Sequence, residues 1–182
     1  MSRFVLSRDI RVQLRKVGRE DQPVMVVDNL LAEPEAMIDF ARRAEFYLPT
    51  HTKYPGINAA LPDGYHQTVV GALRGAIEAG FGLPRETWIR FFGFLALATT
   101  PAEAAEAVQK IPHYDTTAPG RLAMVHYLCR GDFGGTGFFR HRATGFESVD
   151  EGREAGYAAV ARAELETAQL DGYAGDGMAH FE

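Results

Sequence analysis

Ile111-Pro112-His113-Tyr114-Asp115 opens the stretch on which the reading of this sequence turns. A turn follows, then an apolar run from Arg121 to Cys129, then Gly134-Gly135-Thr136-Gly137-Phe138-Phe139. In an extended chain, residues two apart project from the same face. The His113 imidazole and the Asp115 carboxylate would then stand side by side, as two of the protein ligands in a facial site for a divalent metal. The same spacing also suits a polar strand end at a surface, so the neighbouring residues decide between the two.

Those neighbours have a recognisable order. The run from Pro112 to Phe139, PHYDTTAPGRLAMVHYLCRGDFGGTGFF, resembles the first half of the core in iron(II)- and 2-oxoglutarate-dependent dioxygenases. The matching parts are His113 and Asp115, the strand end Val125 to Leu128, Asp132 in the turn, and Gly134-Gly135 leading to Phe138. The likeness extends from Trp88 to Glu147 and is looser from Val24 to Phe81. It implies an α+β fold with a double-stranded β-helix, a jelly roll of two sheets, and N-terminal helices around it. The expected core strands are Trp88 to Ala98, Ile111 to Asp115, Arg121 to Cys129 and Thr136 to Glu147. The resemblance also implies iron(II) and 2-oxoglutarate as cofactors, with His113 and Asp115 as metal ligands.

The second half of that core is not visible. After Glu147 the sequence turns helical, so the half-core is expected to be missing or degenerate. The polypeptide is then expected to be incomplete at its C-terminus relative to the family. The third metal ligand is His141, His180 or absent. On this reading the polypeptide alone is not a competent oxygenase.

Alternation along Arg121 to Cys129 puts Leu122, Met124, His126 and Leu128 on one face, and Ala123, Val125, Tyr127 and Cys129 on the other. Relatives hold 2-oxoglutarate with a polar residue on such a strand, and Tyr127, ahead of His126, is the candidate. Either side chain also serves as ordinary core packing. Arg140 and Arg142 share a strand face, and two guanidinium forks suit a carboxylate. They are candidates for binding an acidic substrate or 2-oxoglutarate, or else for an ion pair with Glu147 or the following helix. Gly134-Gly135 is not a phosphate cradle, because no Lys-Ser/Thr follows.

The 182 residues are 46% hydrophobic and carry a formal net charge of −5, which fits one domain with its own core and argues against nucleic acid as a partner. One cysteine, Cys129, excludes an internal disulfide; in an apolar strand it should be a buried, inert thiol. The N-terminus lacks the apolar core of a signal peptide. Phe91 to Ala98 is too short to cross a bilayer. The expected compartment is the cytoplasm.

Elsewhere the pattern is plainer. Arg3 to Leu14 alternates as two short strands would, Lys16 to Gln22 is a loop, and Val24 to Val27 is a strand. Glu33-Pro34 starts a helix whose inner face is Met37, Phe40, Ala41 and Ala44. Tyr47 to Pro62 reads as an irregular loop, either facing substrate or packed on the surface. Tyr65 to Ala79 is a second helix with a stripe of Tyr65, Val69, Leu73, Ala76 and Ile77. Thr100 to Glu103 and Ser148 to Glu151 read as capping boxes, opening helices to about Gln109 and Leu170. Asp171 to Gly177 is rich in turn residues, and His51 and His66 read as surface histidines.

The function expected is oxygenation of a small molecule or side chain. The alternatives are a cupin-like binding protein without redox chemistry, and a partner-binding fragment whose exposed strand edge pairs with another polypeptide, in the simplest case as a homo-oligomer.

Overall fold

Alternating side chains build the first strand pair. In the computed structural model, which describes residues 4–50, 52–167, 172 and 179–182, strand β1 spans Arg11–Val17 and β2 spans Gln22–Asp28, and the two are hydrogen-bonded neighbours. The two short strands expected over Arg3 to Leu14 are separated by a turn at Arg8 and Asp9, and among the described residues the part before it makes only an isolated antiparallel bridge, Leu6 to Leu31. The loop expected from Lys16 is shorter, because the ladder to β2 carries β1 through Val17.

Helix α1, Pro34–Arg43, starts on its proline and buries Met37, with Arg42 and Arg43 outside as the periodicity predicts. Strand β3, Gly56–Ala60, lies inside the stretch read as a loop. Its small residues carry no branched or aromatic strand signal beyond Ile57, yet it pairs with β4, Phe94–Ala98, and Tyr47 bridges to Asn58. Helix α2, Tyr65–Gly80, buries Tyr65, Val69 and Leu73, the stripe expected of it. Only the end of the expected strand Trp88 to Ala98 forms. Trp88 and Phe92 are 81% and 89% exposed, and no strand partner among the described residues continues the ladder past Phe94.

The chain divides into two compact units interleaved in sequence. The first comprises Met1–Val17, Pro23–Thr50 and Gly56–Leu97. Its core is Phe4, Leu30, Leu31, Met37, Ala59, Tyr65, Val69, Leu73 and Leu95. Phe4 meets Tyr65 edge-on at 6.0 Å, and burial pushes the Tyr65 phenol up to about 12.

The second unit comprises Gly18–Gln22, His51–Pro55 and Ala98–Glu182. The helix expected from Pro101 is split. A 3-10 turn at Ala102–Ala104 ends at Ala105, whose backbone is extended, and α3, Ala107–Lys110, starts on a capping box between Glu106 and Gln109. Helix α4 spans Glu151–Thr167; the expected continuation to Leu170 lies outside the described residues, as do His51 and most of Asp171 to Gly177. Its cap is Asp150, whose Oδ1 accepts from the Arg153 N–H at 2.9 Å, and not Ser148.

Between α3 and α4 the expected strands are absent. Residues 111–140 contain neither helix nor strand, and among the described residues the only pairing at Thr136 to Glu147 is an isolated bridge from His141 to Phe181. A strand is held by its neighbour, and among the described residues none lies alongside. Cys129 is accordingly exposed rather than buried. The described residues therefore form a mixed α and β structure with small antiparallel sheets and four helices. No helix among them is long and apolar enough to cross a membrane.

Ser148 has another partner. Its hydroxyl donates to Glu20 Oε2, while Arg153 donates to Glu20 Oε1 at 2.6 Å and to the Ser148 carbonyl at 3.1 Å. The Glu20 N–H donates to Glu147 Oε2 at 2.8 Å. Gly18, at φ +70°, allows this approach, since a Cβ there would stand 2.1 Å from Glu147 Oε2. The Arg19 and Glu20 N–H groups hold the Glu147 carboxyl below its ordinary range. The hydrogen bond from Ser148 lowers Glu20, with burial opposing and Arg153 assisting. A carboxyl lowered in the folded state binds fewer protons there than when unfolded, so it adds stability above its unfolded value of 4.5. That stability is lost as the pH falls below 4.5 through the lower folded value. Urea midpoints on either side of 4.5 should fall on acidification in the wild type and fall less in Glu20→Gln.

Candidate functional site

His113 and Asp115 follow α3 directly. The Ile111 backbone is extended, and beyond it His113 Nε2 lies 3.7 Å from Asp115 Oδ1. The sequence spacing thus brings the pair together without a strand. Their side chains are 72% and 74% exposed, so as a surface ion pair they would add little stability. Metal–donor distances are roughly 2.0–2.2 Å, so two neighbouring donors of a facial site stand about 3 Å apart. The pair, at 3.7 Å, would have to close by a few tenths of an ångström to share one ion.

A facial triad needs a third protein donor, and the described residues gather no group of three or more His, Cys, Asp or Glu side chains able to hold a metal. His141 is 2% exposed and has both ring nitrogens occupied, Nδ1 with Thr144 Oγ1 at 2.9 Å and Nε2 with Glu164 Oε2 at 2.7 Å. His180 Nδ1 lies 3.4 Å from the other oxygen of Glu164. Both candidate third ligands are therefore engaged with one α4 carboxylate. The donor set fits two of the three positions for iron(II) and does not complete the triad.

The remaining candidates lie elsewhere. The Tyr127 hydroxyl is hydrogen-bonded to Thr136 Oγ1 and is exposed. His126 is half-buried, and desolvation lowers its pKa toward the neutral form. Arg140 and Arg142 do close on a carboxylate, that of Glu182. Arg140 Nη2 meets Glu182 Oε1, Arg142 Nη1 donates to Oε2 at 2.8 Å, and Arg142 Nε donates to the Phe181 carbonyl at 3.1 Å. Of the acids expected as their partner, Glu147 feels the Arg140 charge, which helps to lower its carboxyl, without an ion pair to either arginine among the described residues. His66 is exposed and stacks on Phe91.

His113 borders an open groove of about 450 Å³. One wall is Ile111, Pro112, His113 and Tyr114. The other is α4, through Tyr157, Ala158, Ala161 and Leu165, with Arg162 and Glu166 on the rim. Positions 157, 158, 161 and 165 recur at helical spacing and share a face. Tyr114 closes one end, its ring 5.8 Å from that of Tyr157 and its hydroxyl donating to Glu154 Oε1 at 3.2 Å. Burial first, then neighbouring Glu154, raises the Tyr114 pKa; burial, then Tyr114 and Glu164, raises that of Tyr157. Both phenols stay protonated at neutral pH.

Sequence reasoning passed over Arg162 and Glu164, treating α4 as an exposed helix. The signal was present: Tyr157, Ala161 and Glu164 fall on one face at intervals of four and three residues. Nothing in the sequence indicated that the segment before Tyr114 lies across that face.

A family model matches residues 8–182, and the chain belongs to that family, described as a family of unknown function (DUF6445). No curated protein and no solved structure matches the chain. These comparisons leave the oxygenase resemblance resting on the sequence likeness from Trp88 to Glu147 and the looser one from Val24 to Phe81.

The buried His141 makes a direct prediction. Glu164→Leu leaves its Nε2 facing an apolar side chain, at a cost of about 1–3 kcal/mol. Glu164→Gln, which keeps an oxygen and an N–H at the same reach, should recover most of that loss. Urea denaturation of the two variants measures the difference.

Proposed function

We propose that this member of the DUF6445 family is an iron(II)- and 2-oxoglutarate-dependent oxygenase-like protein derived from a jelly-roll ancestor, with His113 and Asp115 as its metal ligands. One observation carries the reading: the two side chains the resemblance selects lie 3.7 Å apart, and one of them, His113, borders a groove with a largely apolar lining. Iron and 2-oxoglutarate, when bound, would supply the oxidising chemistry. The protein's own part would be to hold the metal and to line a site for a small-molecule substrate with the residues around Tyr114 and Tyr157. A reducing compartment, the cytoplasm, suits both ferrous iron and an exposed cysteine. With two protein donors the ion would be held weakly. Anaerobic calorimetric titration with iron(II) should give a measurable affinity in the wild type. His113→Ala and Asp115→Ala should each lower it by about ten-fold or more, since even loss of an outer-shell partner costs that much. Equal affinity in all three proteins would remove the metal assignment.

A second reading has its own observation. Met124, Val125, Tyr127, Phe133 and Phe138 are exposed within a segment that has no strand partner among the described residues. Exposed large apolar side chains concentrated in one segment suit a binding surface, and an extended segment can add to a second polypeptide edge by edge. Under this reading the protein self-associates through residues 121–138. Light scattering coupled to size exclusion should then show dimers, and Val125→Lys with Phe138→Lys should return them to monomers. Monomeric wild type at every concentration would count against the idea.

A further inference from the structure

The groove between α4 and Ile111 to Tyr114 has features that the metal pair does not use. Its lining is mostly apolar, and its volume of about 450 Å³ falls within the range of small-molecule sites. Ala158 and Ala161 leave a flat floor between Tyr157 and Leu165. Arg162 stands on the rim, exposed, and among the described residues it has neither an ion-pair nor a hydrogen-bond partner. A guanidinium at the edge of an apolar trough is a paired feature: one part takes an acid, the other takes an alkyl tail.

We propose that the groove is a binding site for a monocarboxylic acid with an aliphatic tail. The carboxylate sits on Arg162, and the tail runs over Ala161 and Ala158 toward Tyr157. The direction follows from charge. Glu166 lies one helical turn beyond Arg162, on the side away from Tyr157, so a tail laid the other way would run past a charged carboxylate instead of over the alanines. The same arrangement disfavours dicarboxylic acids, whose second charge would meet either the apolar floor or Glu166. The site goes beyond the oxygenase reading, and rests on it only in treating the bound acid as a substrate rather than as a ligand.

Octanoate is the probe, with 1-octanol, octylamine and succinate for comparison, in equilibrium dialysis of the full-length protein in EDTA. Leaving iron out separates the two readings. Octanoate binding with failed iron titration removes the oxygenase and keeps the groove; iron binding without octanoate binding does the reverse. Octanoate should bind saturably, with octanol and succinate each about ten-fold weaker or more. Arg162→Gln should cost octanoate about ten-fold, while Arg162→Lys, which keeps the charge and loses the fork, should cost less. Ala161→Trp, which fills the floor, should abolish binding while circular dichroism shows the helix intact. Equal binding of octanol and octanoate, an unaffected Arg162→Gln, or tighter binding of octylamine would each overturn the proposal. The last would place a cation on Glu166 instead.

Discussion

A buried imidazole with both nitrogens taken sets the position of α4, and α4 in turn sets the groove. His141 sits in a tight turn closed by its own backbone, with its N–H on the Phe146 carbonyl and its carbonyl taking the Gly145 N–H at 2.7 Å. Gly145, at φ +73°, makes that turn possible. The ring then lies 5.0 Å from Tyr157 and 5.2 Å from Phe181, with Glu164 on its far nitrogen. Tyr157 and Glu164 are seven residues apart, two helical turns, so the two contacts fix the rotation of α4 about its axis. With the rotation fixed, Ala158, Ala161 and Leu165 necessarily face Ile111 to Tyr114.

This arrangement explains why the metal candidates separate. The imidazoles at 141 and 180 serve Glu164, while His113 borders the groove and pairs with the exposed Asp115. Between the two clusters the aromatic rings of Tyr157 and Tyr114 are in contact. A buried, fully bonded histidine and an exposed, loosely paired one have different physical work available. The first stabilises; the second remains open to a ligand.

Much of the helical framework was legible in the sequence. The stripes of α1 and α2 are long, regular and backed by proline or glycine at their ends, so local preference and packing agree. Strand β3 was not legible, because Gly-Ile-Asn-Ala-Ala says little until β4 lies beside it. The expected strands from Ile111 to Glu147 failed for the opposite reason. Their residues favour extension, but extension becomes a strand only with a partner, and sequence pattern does not supply one. Of the site, the His113 and Asp115 pairing followed from spacing alone. Arg162 did not, because the opposing wall is set by the tertiary contact at His141.

The interleaving of the two units also governs the order in which the polypeptide folds. Glu20 and its partner Arg153 are 133 residues apart, and Glu147 is 127 residues from the backbone it receives. Contacts of that separation close late, because the entropy of a long loop must be lost before they form. During synthesis, at roughly 5–20 residues per second, Gly18 to Gln22 emerges long before α4 exists to receive it. The early segment must wait in solution for most of the time that the polypeptide takes to be made. Cleavage after Leu97 would not release two self-sufficient halves either, since the second unit would lose its first two pieces.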